Sequence, residues 1–184
     1  MKKILASLAI LLCFVLIGTG AWGQVTVTVT GASNTTPALA SSYTSLANAI
    51  TALNNVTAFS GAVTLTCAAG SETSPSGGYS ISFTGTTSST NTVTITTSGS
   101  VTITANSTLT AGNLNDAIFK IIGSDWVTIS GFTMQENASN TTTTAASNNM
   151  TEFGVALFYA STTNGRSEEH TSELQSRQYL VCRL

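Results

Sequence analysis

The sequence predicts an all-β protein, a solenoid of stacked strand–turn–strand units with one helix at its start. Three observations predict it. Short runs alternate branched apolar residues with hydroxylic ones, as in Val25-Thr26-Val27-Thr28-Val29-Thr30, Val93-Thr94-Ile95-Thr96 and Val101-Thr102-Ile103-Thr104. Period-two alternation gives a strand one apolar and one polar face. The chain also repeats itself. Residues 92–104 can be laid on residues 118–130 at an offset of about 26, within the range of repeat architectures. Val93/Phe119, Ile95/Ile121, Val101/Val127 and Ile103/Ile129 then coincide. Finally, residues 43–53 break the alternation with a helical stripe. The competing expectation is an antiparallel β-sandwich, which also alternates. The repeat and the helix favour the solenoid.

Each element has its own justification. Lys2 and Lys3 precede an apolar run over residues 4–17, and Ala21-Trp22-Gly23 follows. This reads as a secretory signal peptide, residues 1–23, cut before Gln24. The run is shorter than the ~20 apolar residues a bilayer span needs. Cys13 lacks the small preceding residue of a lipidated cysteine, so no lipid anchor is expected. Residues 24–42 read as an N-terminal strand and linker. In residues 43–53, Leu46, Ala49, Ile50 and Leu53 fall at i, i+3, i+4 and i+7, one apolar stripe. Ser42 or Thr44 is the expected cap, and Asn54-Asn55 the expected end. A stack of strands leaves an edge at each end that must be covered, and this helix is the expected N-terminal cap.

The repeats should then occupy the rest of a domain spanning residues 43–165. Val63 and Leu65 with Ile81 suggest an earlier, looser unit, and residues 153–159 the start of a later one. Residues 137–149, with Thr141-Thr142-Thr143-Thr144, read as a loop inserted outside the stack. One unit cannot bury its own apolar face. Stacked units can, each Val or Ile lying over its counterpart.

Composition excludes several functions. Residues 24–165 contain one base, Lys120, against five acids, Glu72, Asp116, Asp125, Glu136 and Glu152, a formal charge of −4. Without clustered Lys and Arg there is no nucleic-acid face and no attraction to an anionic membrane. Cys67 is the only cysteine of this segment, so it forms no disulfide within it and reads as a buried thiol.

Two resemblances follow from particular residues. Ser41-Ser42-Tyr43-Thr44-Ser45-Leu46-Ala47-Asn48-Ala49-Ile50 resembles the opening helix of secreted right-handed parallel β-helix proteins. Ile121-Ile122-Gly123-Ser124-Asp125-Trp126-Val127-Thr128-Ile129-Ser130-Gly131-Phe132-Thr133-Met134 resembles their recurring coil. Together they are similar to the front of large Bacteroidota surface proteins of the pectin-lyase-like type. The resemblance implies a right-handed parallel β-helix, a secreted or cell-surface location, and extracellular polysaccharide or cell-surface glycans as partners. Residues 166–176, Arg-Ser-Glu-Glu-His-Thr-Ser-Glu-Leu-Gln-Ser, resemble instead the in-frame translation of a sequencing adapter. Residues 166–184 are therefore expected to be foreign to the fold, and the natural chain to be truncated near Gly165. A truncated stack would self-associate through its open end.

Catalytic chemistry finds little to stand on. Lyases of this type use a basic residue, but Lys120 is alone between Phe119 and Ile121 and should point to solvent. Glycosidases need two paired carboxylates. Asp116 and Asp125 are the nearby candidates, and both read as turn acids that bond the local backbone. Glu136 reads as a loop acid. No histidine lies in residues 24–165, and no metal-ligand spacing is present. No catalytic residue, metal or cofactor is expected. With Val127 and Ile129 inward, Trp126 and Thr128 point out. Trp126 is thus the one candidate glycan contact, unless it covers Ile118 and Ile122 beneath the 137–149 loop. The expected function is a non-catalytic structural or adhesive module. The alternative is a polysaccharide lyase or glycoside hydrolase whose catalytic coils are missing.

Overall fold

The computed structural model describes residues 24–113 and 116–158. The expected signal peptide and the 166–184 tail lie outside the described residues. What is described is mostly β: thirteen short strands, one α-helix and one 3₁₀ turn.

The chain begins with β1 (Val27–Thr30), a 3₁₀ turn (Ala32–Asn34), β2 (Thr35–Thr36) and β3 (Ser42–Tyr43). Val25, Val27 and Val29 are buried while the threonines between them are exposed, as the alternation requires. β1 pairs antiparallel with β3 and with β5 (Val63–Cys67). β2 pairs antiparallel with β4 (Ala58–Phe59).

Helix α1 (Leu46–Asn54) lies between. Its stripe is the expected one, with Leu46, Ala49, Ile50 and Leu53 all buried. Its cap is not. Ser45, rather than Ser42 or Thr44, is the N-cap, its hydroxyl accepting from Asn48 N at 3.1 Å. Residues 42 and 43 are held in the sheet by β1, so the helix can begin only after them. Asn55 closes the helix, its N–H donating to Ala52 O and Leu53 O.

The remaining strands fall into three groups of three. β5, β6 (Gly70–Thr73) and β7 (Tyr79–Ile81) come first. β8 (Val93–Thr97), β9 (Val101–Thr104) and β10 (Ala117–Ile122) follow. β11 (Val127–Ile129), β12 (Phe132–Gln135) and β13 (Phe153–Phe158) are last. Corresponding strands pair in parallel: β5–β8–β11, β6–β9–β12 and β7–β10–β13. The repeating unit is therefore three strands, and its partners lie roughly 30 to 40 residues apart, still within the range of repeat architectures.

This corrects the register expected from the sequence. Val93 pairs with Val63 and Val127, not with Phe119. Val101 pairs with Gly70 and Phe132, not with Val127. Phe119 pairs with Tyr79 and Val155. Two strand–turn–strand segments of similar composition can be superposed in sequence, but β8–β9 and β10–β11 sit on different sides of the unit. The phase of β10 is nonetheless the expected one, with Phe119 and Ile121 buried and Lys120 partly exposed. Ile118, expected outside, is wholly buried.

Stacking accounts for the core. Val63, Leu65, Val93, Ile95, Val101 and Ile103 are all at most 1% exposed. Tyr79 stacks on Phe119 at 5.1 Å between ring centroids, and Phe119 meets Phe132 at 5.4 Å. Outside, Thr64, Thr94 and Thr128 stand in register. A corner is stitched by asparagines: Asn106 Nδ2 donates to Ser74 O at 2.8 Å, and Asn137 Nδ2 to Ala105 O at 3.1 Å. Each satisfies a carbonyl that a turning backbone leaves unpaired. Gly131 (φ 84°) makes the β11–β12 corner, where a Cβ would run into the Thr97 hydroxyl.

The two ends differ. Helix α1 and β1 cover the first unit. On the last unit, β11, β12 and β13 each have a strand partner on one side only among the described residues. Val127, Ile129, Phe132, Met134 and Val155 are accordingly only partly buried.

Candidate functional site

Three places carry chemistry. The first is the node beneath α1. Glu72, on β6, occupies an inward position opposite Ile103 and is 9% exposed. Its Oε2 accepts from Val25 N at 3.1 Å and Leu46 N at 3.2 Å. Its Oε1 accepts from Ala47 N at 3.3 Å and the Tyr79 hydroxyl at 2.8 Å. The first helical N–H groups have no partner within the helix, and a carboxylate there also meets the positive end of the dipole. Ser45 completes the set, its hydroxyl taking Asn48 N and its carbonyl Ala49 N. Burial, and then the Glu72 charge, push the Cys67 thiol up to about 12. The same two causes raise the Tyr79 hydroxyl above the ordinary phenol range. Neither group ionises near neutrality, so this node is a fastening and not a reactive centre.

The second is a polar layer beside β10 and β13. The 137–149 loop carries no strand, as expected, but it is not outside the packing. Gly112 N donates to Asn148 O at 2.9 Å, and Asn140 Nδ2 to Asn106 O at 3.0 Å. Asp116, expected to be a turn acid, is 3% exposed and level with Glu152. Its N–H donates to Glu152 Oε2 at 3.1 Å, while its Oδ1 accepts from Asn113 Nδ2 at 3.0 Å. Glu152 Oε1 accepts from Asn148 Nδ2 at 2.6 Å. Glu136, no simple loop acid, accepts from Asn137 N at 2.7 Å, Asn140 Nδ2 at 2.6 Å and Thr151 N at 2.6 Å.

Burial raises the Asp116 carboxyl above the ordinary carboxylate range. Lys120 opposes this, Glu152 adds to it, the Asn113 bond opposes it, and Glu136 adds to it. Two buried oxygens of the layer, Asp116 Oδ2 and Asn140 Oδ1, have no hydrogen-bond partner. No group of three or more His, Cys, Asp or Glu is placed to hold a metal among the described residues.

The third is Trp126, in the turn between β10 and β11. It is 49% exposed. Among the described residues it is the one non-glycine with positive φ, at 53°. Its carbonyl accepts from Val93 N at 3.0 Å, and the Thr87 hydroxyl donates to Asp125 O at 2.8 Å. These two bonds lock the turn and leave the indole facing solvent. Asp125 belongs to this turn, apart from the acids of the polar layer, so the two aspartates do not form a pair. Lys120 is partly exposed with its Nζ 5.9 Å from the Phe158 ring centroid, a cation–π distance.

Sequence reasoning named Trp126 and gave Glu72 and Glu152 no role. Both had a signal. Asp116-Ala117-Ile118-Phe119 and Glu152-Phe153-Gly154-Val155 each set an acid before an apolar strand, and Glu72 puts an acid in an apolar column. Comparison with protein-family models, with curated proteins and with solved structures finds no match to this chain. No helix among the described residues is long and apolar enough to cross a membrane.

Proposed function

We propose that this chain is the front of a secreted or cell-surface right-handed parallel β-helix of the pectin-lyase-like type. In this reading it is a non-catalytic structural or adhesive module that touches glycans weakly through Trp126. The observation that carries the reading is the set of three parallel, in-register strand stacks. A sandwich would pair such strands antiparallel, and the asparagine stitching between successive units adds further support. The secreted location rests on residues 1–23. Self-association would proceed through the uncovered edges of β11, β12 and β13, which contain no charged residue or proline to discourage pairing.

A second reading, a polysaccharide lyase or glycoside hydrolase, draws on the nearness of Asp116 and Glu152. It would need its acid and base elsewhere. Asp116 is too buried to touch a sugar, and both Glu152 oxygens already accept bonds. The test is a glycan panel with turnover assays on the chain and its Trp126→Ala variant. Weak binding lost in Trp126→Ala, without turnover, is expected. Turnover abolished by Asp116→Asn or Asp125→Asn would overturn the non-catalytic reading.

A further inference from the structure

The outer faces of the three stacks are not alike. On β1, β5, β8 and β11 every outward residue is a threonine, and none of these strands contains a charged residue. Strand register gathers the threonines into two rows. Thr30, Thr64, Thr94 and Thr128 are successive neighbours across the sheet. Thr28, Thr66 and Thr96 form the second row. Ser130 extends it, its hydroxyl donating to Thr96 Oγ1 at 3.0 Å. All of them are exposed or half-buried, and none is buried. The other stacks break this order. Gln135 stands in the row of Thr73 and Thr104, while Lys120 and Phe158 meet on the outer side of β10 and β13.

We propose that the outer face of β1, β5, β8 and β11 is a binding surface for crystalline ice. Paired strands lie about 4.8 Å apart, and alternate residues along a strand about 6.6 Å apart. In a tetrahedral water lattice with hydrogen bonds of about 2.75 Å, second-neighbour oxygens are about 4.5 Å apart and the layer repeat is about 7.3 Å. Over four strands and two rows the accumulated misfit is about 1 Å in each direction, which small side-chain tilts within a rotamer well absorb. Threonine is restricted at χ1, so the array is ordered before it meets its ligand. Each residue offers a hydroxyl that can take a lattice position and a methyl that holds no water of its own. A charge in the face would keep its hydration shell and oppose a neutral lattice, and the four strands carry none. A repeat in two directions selects a crystalline surface over a single chain, which would match one row only. The proposal rests on the strand pairing and not on the surface-module reading or on Trp126.

The experiment is uptake of the full chain into a slowly growing ice hemisphere, with thermal hysteresis of the freezing point measured alongside. The chain is expected in the ice fraction, from which an inert globular protein is excluded. Thr94→Lys sets a charged side chain in the middle of the array and should reduce uptake to the inert level. Thr102→Lys, at an outward position of β9 on another face, should leave it unchanged. If Thr94→Lys fails to fold by circular dichroism, Thr30→Lys, at the start of the same row, takes its place with the same expected loss. Exclusion of the unaltered chain from ice overturns the proposal. So does an equal loss in Thr94→Lys and Thr102→Lys, or adsorption to microcrystalline cellulose without uptake into ice.

Discussion

Replacing Glu72 should nearly unfold the protein, and the size of the effect follows from its four donors. In Glu72→Ala, Val25 N, Leu46 N, Ala47 N and the Tyr79 hydroxyl lose their acceptor together. Val25, Leu46 and Tyr79 are at most 1% exposed, so water cannot easily replace the carboxylate for these three. Each buried orphan costs about 1–3 kcal/mol. Loss of the charge at the helix N-terminus adds about 0.3–1 kcal/mol. Water entering the space left by the side chain returns part of this. A loss of roughly 4–5 kcal/mol is expected, in the rare tail of single substitutions. Domains of this kind have only ~5–15 kcal/mol to lose.

Glu72→Gln keeps the shape and one accepting oxygen but turns an NH₂ toward N–H donors. It should cost about half as much, on the scale of one or two charge-assisted bonds at ~1.5–3 kcal/mol each. Urea unfolding followed by far-ultraviolet circular dichroism measures both variants. A Glu72→Ala loss below ~1 kcal/mol would refute the reasoning, since it would mean the four donors find other partners. An equal loss in both variants would refute the count of bonds while leaving the charge as the cause.

Other outcomes follow from the same structure. The Cys67 thiol, pushed up to about 12 by burial and then by Glu72, should not react with a disulfide reagent at pH 8 until urea is added. The Asp116 carboxyl is raised in the folded state, so the fold binds the proton more tightly than the unfolded chain does. Its contribution is fully present below the ordinary value of 3.8 and is lost as pH rises through the folded value. Asp116→Asn should therefore flatten the fall in stability across that acid window, measured by urea unfolding at a series of pH values. Trp126→Gly relieves a left-handed conformation worth about 1–2 kcal/mol, offset by a glycine entropy cost of ~0.5–1 kcal/mol. Its stability should be unchanged or slightly higher, while Trp126→Val, branched at Cβ, should be lower.

How much of this was legible depended on the range of the interaction. The stripe of α1 and the inward valines of β1, β5, β8 and β9 are set by residues two to four positions apart, and the sequence displays them directly. The exposure of Trp126 agrees with the phase of Val127 and Ile129, but Trp126 lies in a turn with φ 53°, where strand alternation does not decide it. Register was different. It depends on which runs share a side of the repeat, and the corners between sides vary in length. The connection from β6 to β7 is short, while that from β12 to β13 holds the whole 137–149 loop. No fixed offset can therefore align all three stacks. The offset of about 26 matched two segments that resemble each other locally and never pair. The buried acids were hidden by the same error. Glu72 looks like a loop charge until Gly70 is set against Val101, which places Glu72 opposite Ile103 in an apolar column.

That placement also explains why an acid is tolerated there. An isoleucine at position 72 would continue the column and bury well, but it could accept nothing from Leu46 N, Ala47 N or Val25 N. A stack can end only where something satisfies both the apolar cross-section and the polar groups of whatever covers it. Helix α1 brings a buried stripe to the cross-section and two free N–H groups at its start. Glu72 answers the N–H groups, while Asn54 ties the other end of the helix to β7 through Ser80 O at 2.7 Å and Ser82 N at 2.8 Å. The two polar contacts fix the helix at both ends, and the stripe fills the space between. No comparable acid or helix stands against β11, β12 and β13 among the described residues, and their inward side chains remain half-buried. The difference between the two ends is thus chemical as well as geometric. On the self-association proposed above, a second copy would add at the last unit and not at the first.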